Sequence, residues 1–163
     1  VSIYQRIAKR LPVERFLPLM NLYPPYVGAG VRVRVLPGTP FAVESTMKLG
    51  PQNQNFMGTH FGGSLYAMCD PFFAFILIQA LGEGFTVWDK AASIRFKRPG
   101  RGKVRAELRI DADRIAAIRE EAIREGKAEP VLETVVTGEG GEIVAEVEKV
   151  VWVKYGEHRR TRA

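Results

Sequence analysis

The chain has 163 residues, 46% of them hydrophobic and 26% charged, and a formal charge of +6. A chain of this size buries about 70% of its unfolded surface, so one domain with a single core is expected, and the lone Cys69, with no Cys/His cluster beside it, excludes an internal disulfide and structural zinc. Residues 1–26 carry +3 and Arg159, Arg160 and Arg162 another +3, which leaves a neutral body. A phosphate-tracking face needs clustered cations, so no nucleic-acid partner is expected.

The first 20 residues mix Arg, Lys, Glu and Pro with apolar positions and lack the unbroken run of a signal peptide. Ile3, Ile7, Leu11, Phe16, Leu17 and Met20 recur at helical spacing, which predicts an amphipathic arm over residues 1–27. It should pack on its own domain or on a second copy. Tyr23-Pro24-Pro25 should end the helix.

After Gly28 the period changes to two. Val31, Val33 and Val35 alternate with Arg32 and Arg34, Pro37-Gly38 turns the chain, and Phe41, Val43, Ser45, Met47 and Leu49 line a second strand. Residues 50–63 read as a loop. Residues 64–81 form an apolar run whose only charge is Asp70, about 27 Å long as a helix. A membrane span is rejected, because Asp70-Pro71 interrupts the run and strand patterns flank it. A helix apolar on every side is buried on every side, and a sheet wrapped around it is the simplest way to bury it. Strands are expected at Ala91–Arg98, Val104–Ile110, Val131–Thr137 and Ile143–Lys154, with a helix from Asp111 to a stop at Gly126. Residues 28–155 form the domain, and 156–163 a basic tail.

Chemistry concentrates between Asn55 and Asp70. Gly62 and Gly63 open the helix, where unpaired N–H groups suit a developing oxyanion, or form a simple glycine turn. Asp70 lies seven residues on, where an unpaired carboxylate is costly. It is either a catalytic base or nucleophile, or an N-cap for a helix restarted by Pro71. His60 could serve as a base or hold a turn. Asn53 and Asn55 could meet a substrate carbonyl or a water, although loop asparagines commonly serve turns. Cys69 reads as core, and Glu83 and Asp89 as solvated turn residues. No metal site is expected.

Asn55, Phe61-Gly62-Gly63, Asp70 and Phe96-Lys97-Arg98-Pro99-Gly100 together resemble the hotdog-fold acyl-CoA thioesterases. The likeness is to the phenylacetyl-CoA thioesterase-like branch, and most to an uncharacterised bacterial subgroup, over residues 31–153. The resemblance implies an α+β hotdog fold, an antiparallel sheet around a long central helix, preceded here by the helical arm. It implies hydrolysis of an acyl-CoA in a tunnel between the subunits of a homodimer, or of a dimer of dimers. Asp70 takes the place of the catalytic carboxylate, and Gly62 or Gly63 that of the oxyanion-hole amide. Phe61 stands where the family carries histidine, with His60 one residue earlier. Phe61 would line the substrate site, and Arg98, Arg101 and Lys103 would hold the phosphates of coenzyme A, with no cofactor beyond the substrate's own. A cytoplasmic location is expected. The rival expectations are a hotdog hydratase or dehydratase and a non-catalytic binder of acyl-CoA or fatty acid.

Overall fold

A computed structural model describes residues 11–39 and 41–156. Ile3, Ile7 and the basic tail beyond Gly156 lie outside the described residues. Helix α1 (Val13–Met20) buries Phe16, Leu17 and Met20, so the described part of the arm packs its apolar face on its own domain. Pro24 and Pro25 do not simply end that helix. They open a second one, α2 (Pro24–Ala29), because proline's fixed φ suits the first helical turn.

Seven antiparallel strands follow the alternation in the sequence: β1 (Val31–Val35), β2 (Ala42–Lys48), β3 (Phe85–Phe96), β4 (Lys103–Arg109), β5 (Lys127–Ala128), β6 (Val131–Thr137) and β7 (Ile143–Tyr155). Their order is β1-β2-β4-β6-β7-β3, with β5 also on β7. Strand β3 begins at Phe85 rather than Ala91, and a bulge between Asp89 and Ala91 absorbs one residue against β7.

The apolar run makes two helices, α3 (Gly62–Ala67) and α4 (Phe72–Leu81), rather than the continuous one expected. Proline lacks the N–H a helix interior needs and crowds the preceding turn, so the break falls at Met68–Pro71. Phe72, Ile76 and Leu77 are fully buried, at about 1.5–3 kcal/mol for each side chain removed from water. That burial keeps α4 inside the sheet. Helix α5 (Ala112–Glu125) ends at Gly126 in the left-handed region, and its Arg119 donates to the carbonyls of Ala80 and Leu81, satisfying the end of α4. The result is the expected α+β hotdog arrangement, with the sheet packed around α3 and α4.

Candidate functional site

The break between α3 and α4 holds Asp70 against the inner face of the sheet. Strand β7 turns Ala145, Val147, Lys149, Val151 and Val153 inward, and the Lys149 side chain is only 1% exposed. Its ammonium donates to Asp70 Oδ1, lies 3.1 Å from Tyr66 Oη and is 3.2 Å from Asp89 Oδ2. Tyr66, one helical turn before Asp70, donates to the same Oδ1 at 3.3 Å. Both bonds fall on Oδ1, so Oδ2 is held by neither Lys149 nor Tyr66. The Asp70 side chain is 41% exposed, and the residue lines a cavity of about 330 Å³ together with Met20, Tyr23, Pro25, Tyr26, Pro71 and Phe75. The Tyr26 hydroxyl donates to the Asp70 carbonyl, tying α2 to the break.

The electrostatics follow from this enclosure. Burial alone would lower the Lys149 ammonium, but its bonds to Asp70 and Tyr66 outweigh burial and hold it above the ordinary lysine value. Burial raises the Asp89 carboxyl; the charge and hydrogen bond of Lys149 draw it back, while the charge of Asp70 and a direct contact between the two carboxyl groups add to the rise. Burial raises the Tyr66 hydroxyl as well. The Cys69 thiol, fully buried, is pushed up to about 12, chiefly by desolvation. It is a core residue and not a thiolate nucleophile.

The capping alternative for Asp70 is resolved. Pro71 is the N-cap of α4, there is no side-chain cap bond, and the carboxylate turns to Lys149 and Tyr66 instead. Gly62 and Gly63 form the first turn of α3. A Cβ on Gly62 would stand 2.8 Å from the Phe96 ring, and one on Gly63 2.5 Å from the Phe61 ring, so both glycines let an aromatic ring lie on the backbone. Phe61 is exposed.

The other expected residues are placed apart from Asp70. His60 is buried, with Nε2 3.1 Å from the Gly102 carbonyl, its N–H bonded to the Gly100 carbonyl, and Nδ1 without a partner. Burial lowers its imidazole, partly offset by the Gly102 bond. Among the described residues no contact joins it to Asp70; it fastens the loop to the β3–β4 turn. Asn55 spends its side chain on its own loop, accepting from the N–H groups of Met57 and Thr59 and donating to Thr59 Oγ1 and the His60 carbonyl. Asn53 ties Ala29, Lys48 and Gly50 together. Arg98, Arg101 and Lys103 are exposed around that same turn, and none forms an ion pair within the described residues.

Lys149, Tyr66 and Asp89 were not expected. The signal for Lys149 lies in the alternation of β7, where a lysine occupies an inward position between Val147 and Val151. Asp89 is a correction: it lies not at a turn but on β3 beside the bulge, opposite Val151, and its carboxylate, still 27% exposed, pairs with Lys149. A larger and more open groove of about 560 Å³, lined by Arg95, Arg105, Glu107, Glu133 and Glu146 among others, lies on the outer face of the sheet and shares no residue with this cluster.

With this geometry in place, comparison with known proteins is informative. Among solved structures, the chain is 32% identical to PA5026 of Pseudomonas aeruginosa, a protein of unknown function described as a probable thioesterase. The match covers 89% of this chain and 97% of that one, with a TM-score of 0.78. It is 17% identical to the thioesterase HI1161 of Haemophilus influenzae, over 90% and 94% of the two chains, with a TM-score of 0.68. A Streptococcus mutans protein, smu.793, bound to acetyl CoA, matches at 19% identity over 72% and 84%, with a TM-score of 0.51. No curated protein matches the chain. Its fold is that of the hotdog thioesterases, and residues 14–153 match the family described as a domain of unknown function, DUF4442, to which this chain belongs.

Proposed function

We propose that this protein hydrolyses an acyl-CoA thioester, with Asp70 as general base or nucleophile. The observation that carries the reading is a carboxylate held at one oxygen, Oδ1, by Lys149 and Tyr66 and still 41% exposed, on a residue that lines a cavity of mainly apolar and aromatic residues. In the base route Asp70 takes a proton from water, and the hydroxide adds to the thioester carbonyl. The N–H groups of Gly62 and Gly63 carry the oxyanion. Collapse expels the coenzyme A thiolate, which takes up the proton.

The acyl group would occupy the cavity beside Met20 and Phe75, and Arg98, Arg101 and Lys103 would receive phosphate. The acetyl CoA on the Streptococcus mutans protein supports this ligand class. Asn55 shapes the loop that presents Phe61 to the substrate. No cofactor is needed beyond the coenzyme A of the substrate, and the reducing cytoplasm suits the single thiol. Among the described residues strand β3, 12 residues long, pairs with β7 on one side only; such an edge is covered in a homodimer, itself able to pair into a dimer of dimers. Release of free thiol across a series of acyl-CoA chain lengths tests the proposal, and no release from any member refutes it.

One observation favours a second reading. Among the described residues no imidazole enters the Asp70 cluster, because Phe61 is exposed and His60 is buried elsewhere. This fits a non-catalytic acyl-CoA binder better than a hydratase, and tight binding of intact acyl-CoA without turnover would identify it.

A further inference from the structure

We propose that Lys149 is a positioning residue for Asp70, pinning Oδ1 together with Tyr66 so that Oδ2 is the oxygen presented to substrate. This deepens the hydrolase reading and rests on it. A lysine is an expensive choice for the inward row of a strand whose neighbours there are Val147 and Val151. It is retained where three polar groups converge: Asp70 and Tyr66 from the helix break, and Asp89 from β3. Cys69 and Tyr26 also lie in this field.

Neutralising the buried ammonium would need only one contact, which Asp89 already supplies. The further bonds to Tyr66 and Asp70 close a triangle in which Lys149 donates to both, and Tyr66 donates to the same Asp70 oxygen. A triangle fixes the carboxylate's rotation where a single bond would not. Asp70 has no cap bond to do this, and it sits at a helix break rather than inside a helix.

The test compares the parent, Lys149→Met, Asp70→Asn and the double variant in thiol release. Methionine matches the length of the lysine stem among the valines. Lys149→Met should keep KM within about threefold and lower kcat by about 10- to 100-fold, the cost of a misplaced reacting group. In the Asp70→Asn background the same change should have no further effect, because both act through one carboxylate. Parental kcat in folded Lys149→Met, or an equal loss in both backgrounds, overturns the proposal.

Should Lys149→Met fail to fold, Tyr66→Phe removes the second Oδ1 contact. It should show a smaller kcat loss that likewise vanishes with Asp70→Asn, and an unchanged or additive result overturns the proposal. A carbon NMR titration of the Lys149 side chain needs no turnover. The ammonium should lose its proton at lower pH in Asp70→Asn than in the parent, since burial then acts with one counter-charge fewer; identical titrations overturn the proposal. A parent that releases no thiol while the titrations differ refutes the hydrolase reading alone.

Discussion

Lys149 and Asp89 face each other across the β7–β3 pair, Nζ to Oδ2 at 3.2 Å, and the same ammonium reaches Asp70 at the break between the two core helices. One buried cation thus serves two carboxylates from different elements. Removing either carboxylate still leaves the lysine paired.

Asp70→Asn therefore folds. Losing one charge-assisted bond costs about 1.5–3 kcal/mol, and at this chain length about 1 kcal/mol corresponds to ~2–4 °C in melting temperature. Thiol release falls at least ~100-fold, because an amide neither accepts a proton nor attacks a carbonyl as a carboxylate does. Thermal melts and a steady-state thiol assay check both halves. Full activity in the variant removes Asp70 from the chemistry.

His60 predicts a pH dependence of stability. Burial holds its folded-state value below that of the unfolded chain, so between the two values the unfolded state binds more protons. The contribution is complete above the unfolded value of about 6.5 and declines as pH falls from there toward the folded value, by at most about 1.4 kcal/mol per pH unit. Melting temperature should fall between pH 7.5 and 5.5 in the parent and fall less in His60→Gln. Parallel curves would show that His60 titrates alike in both states.

Periodicity made most of the sheet legible: β1, β2, β4, β6 and β7 lie where Val31, Met47, Leu108, Val136 and Val153 alternate with polar residues. It was also enough to send the 64–81 run to the centre of the fold. It missed the start of β3, because the bulge at Asp89 breaks the alternation. It also missed the two-residue β5, too short to show a period. Asp70 and the Gly62-Gly63 turn stood out as costly or permissive residues in an apolar run. The partners of Asp70 did not, since Lys149 is 79 positions away and only strand pairing brings it there. Local bonding within the loop and to the β3–β4 turn, invisible to residue counting, engages Asn55 and His60 in structure.

Gly62 predicts a separation of folding from function. Its φ is not in the left-handed region, so alanine brings no backbone strain there, but its Cβ would meet the Phe96 ring end at 2.8 Å. Phe96 is exposed and can swing away. Gly62→Ala should melt within a few degrees of the parent while its thiol release drops, as the ring and the helix-start N–H groups move relative to Asp70. Unchanged kcat and KM would show that this turn does not touch the reacting carbonyl.

Arg98 and Arg101 are exposed beside the turn that His60 fastens, and they predict a salt effect. Charge-assisted contacts to phosphate weaken as ionic strength rises. Replacing both by Ala should raise KM for acyl-CoA, leave kcat nearly unchanged and flatten the dependence of KM on salt. Parental KM at every salt concentration would place the phosphates elsewhere.

The unpaired edge of β3 predicts the assembly. Twelve residues of strand with an unpaired edge, Trp88 and Phe96 exposed along it, present a template for another strand, and among the described residues β7 is the only strand paired with it. Light scattering of the parent should give twice the mass of one chain. Ser93, opposite Glu148 on the row that points away from Lys149, is the place to disturb the edge without entering the Asp70 cluster. Ser93→Lys puts a lysine on the open edge, a device that disfavours strand addition, so the variant should shift toward the monomer and lose thiol release in proportion as dilution dissociates it. A parent that scatters as a monomer at micromolar concentration and turns over fully would sink both the dimer and the shared site.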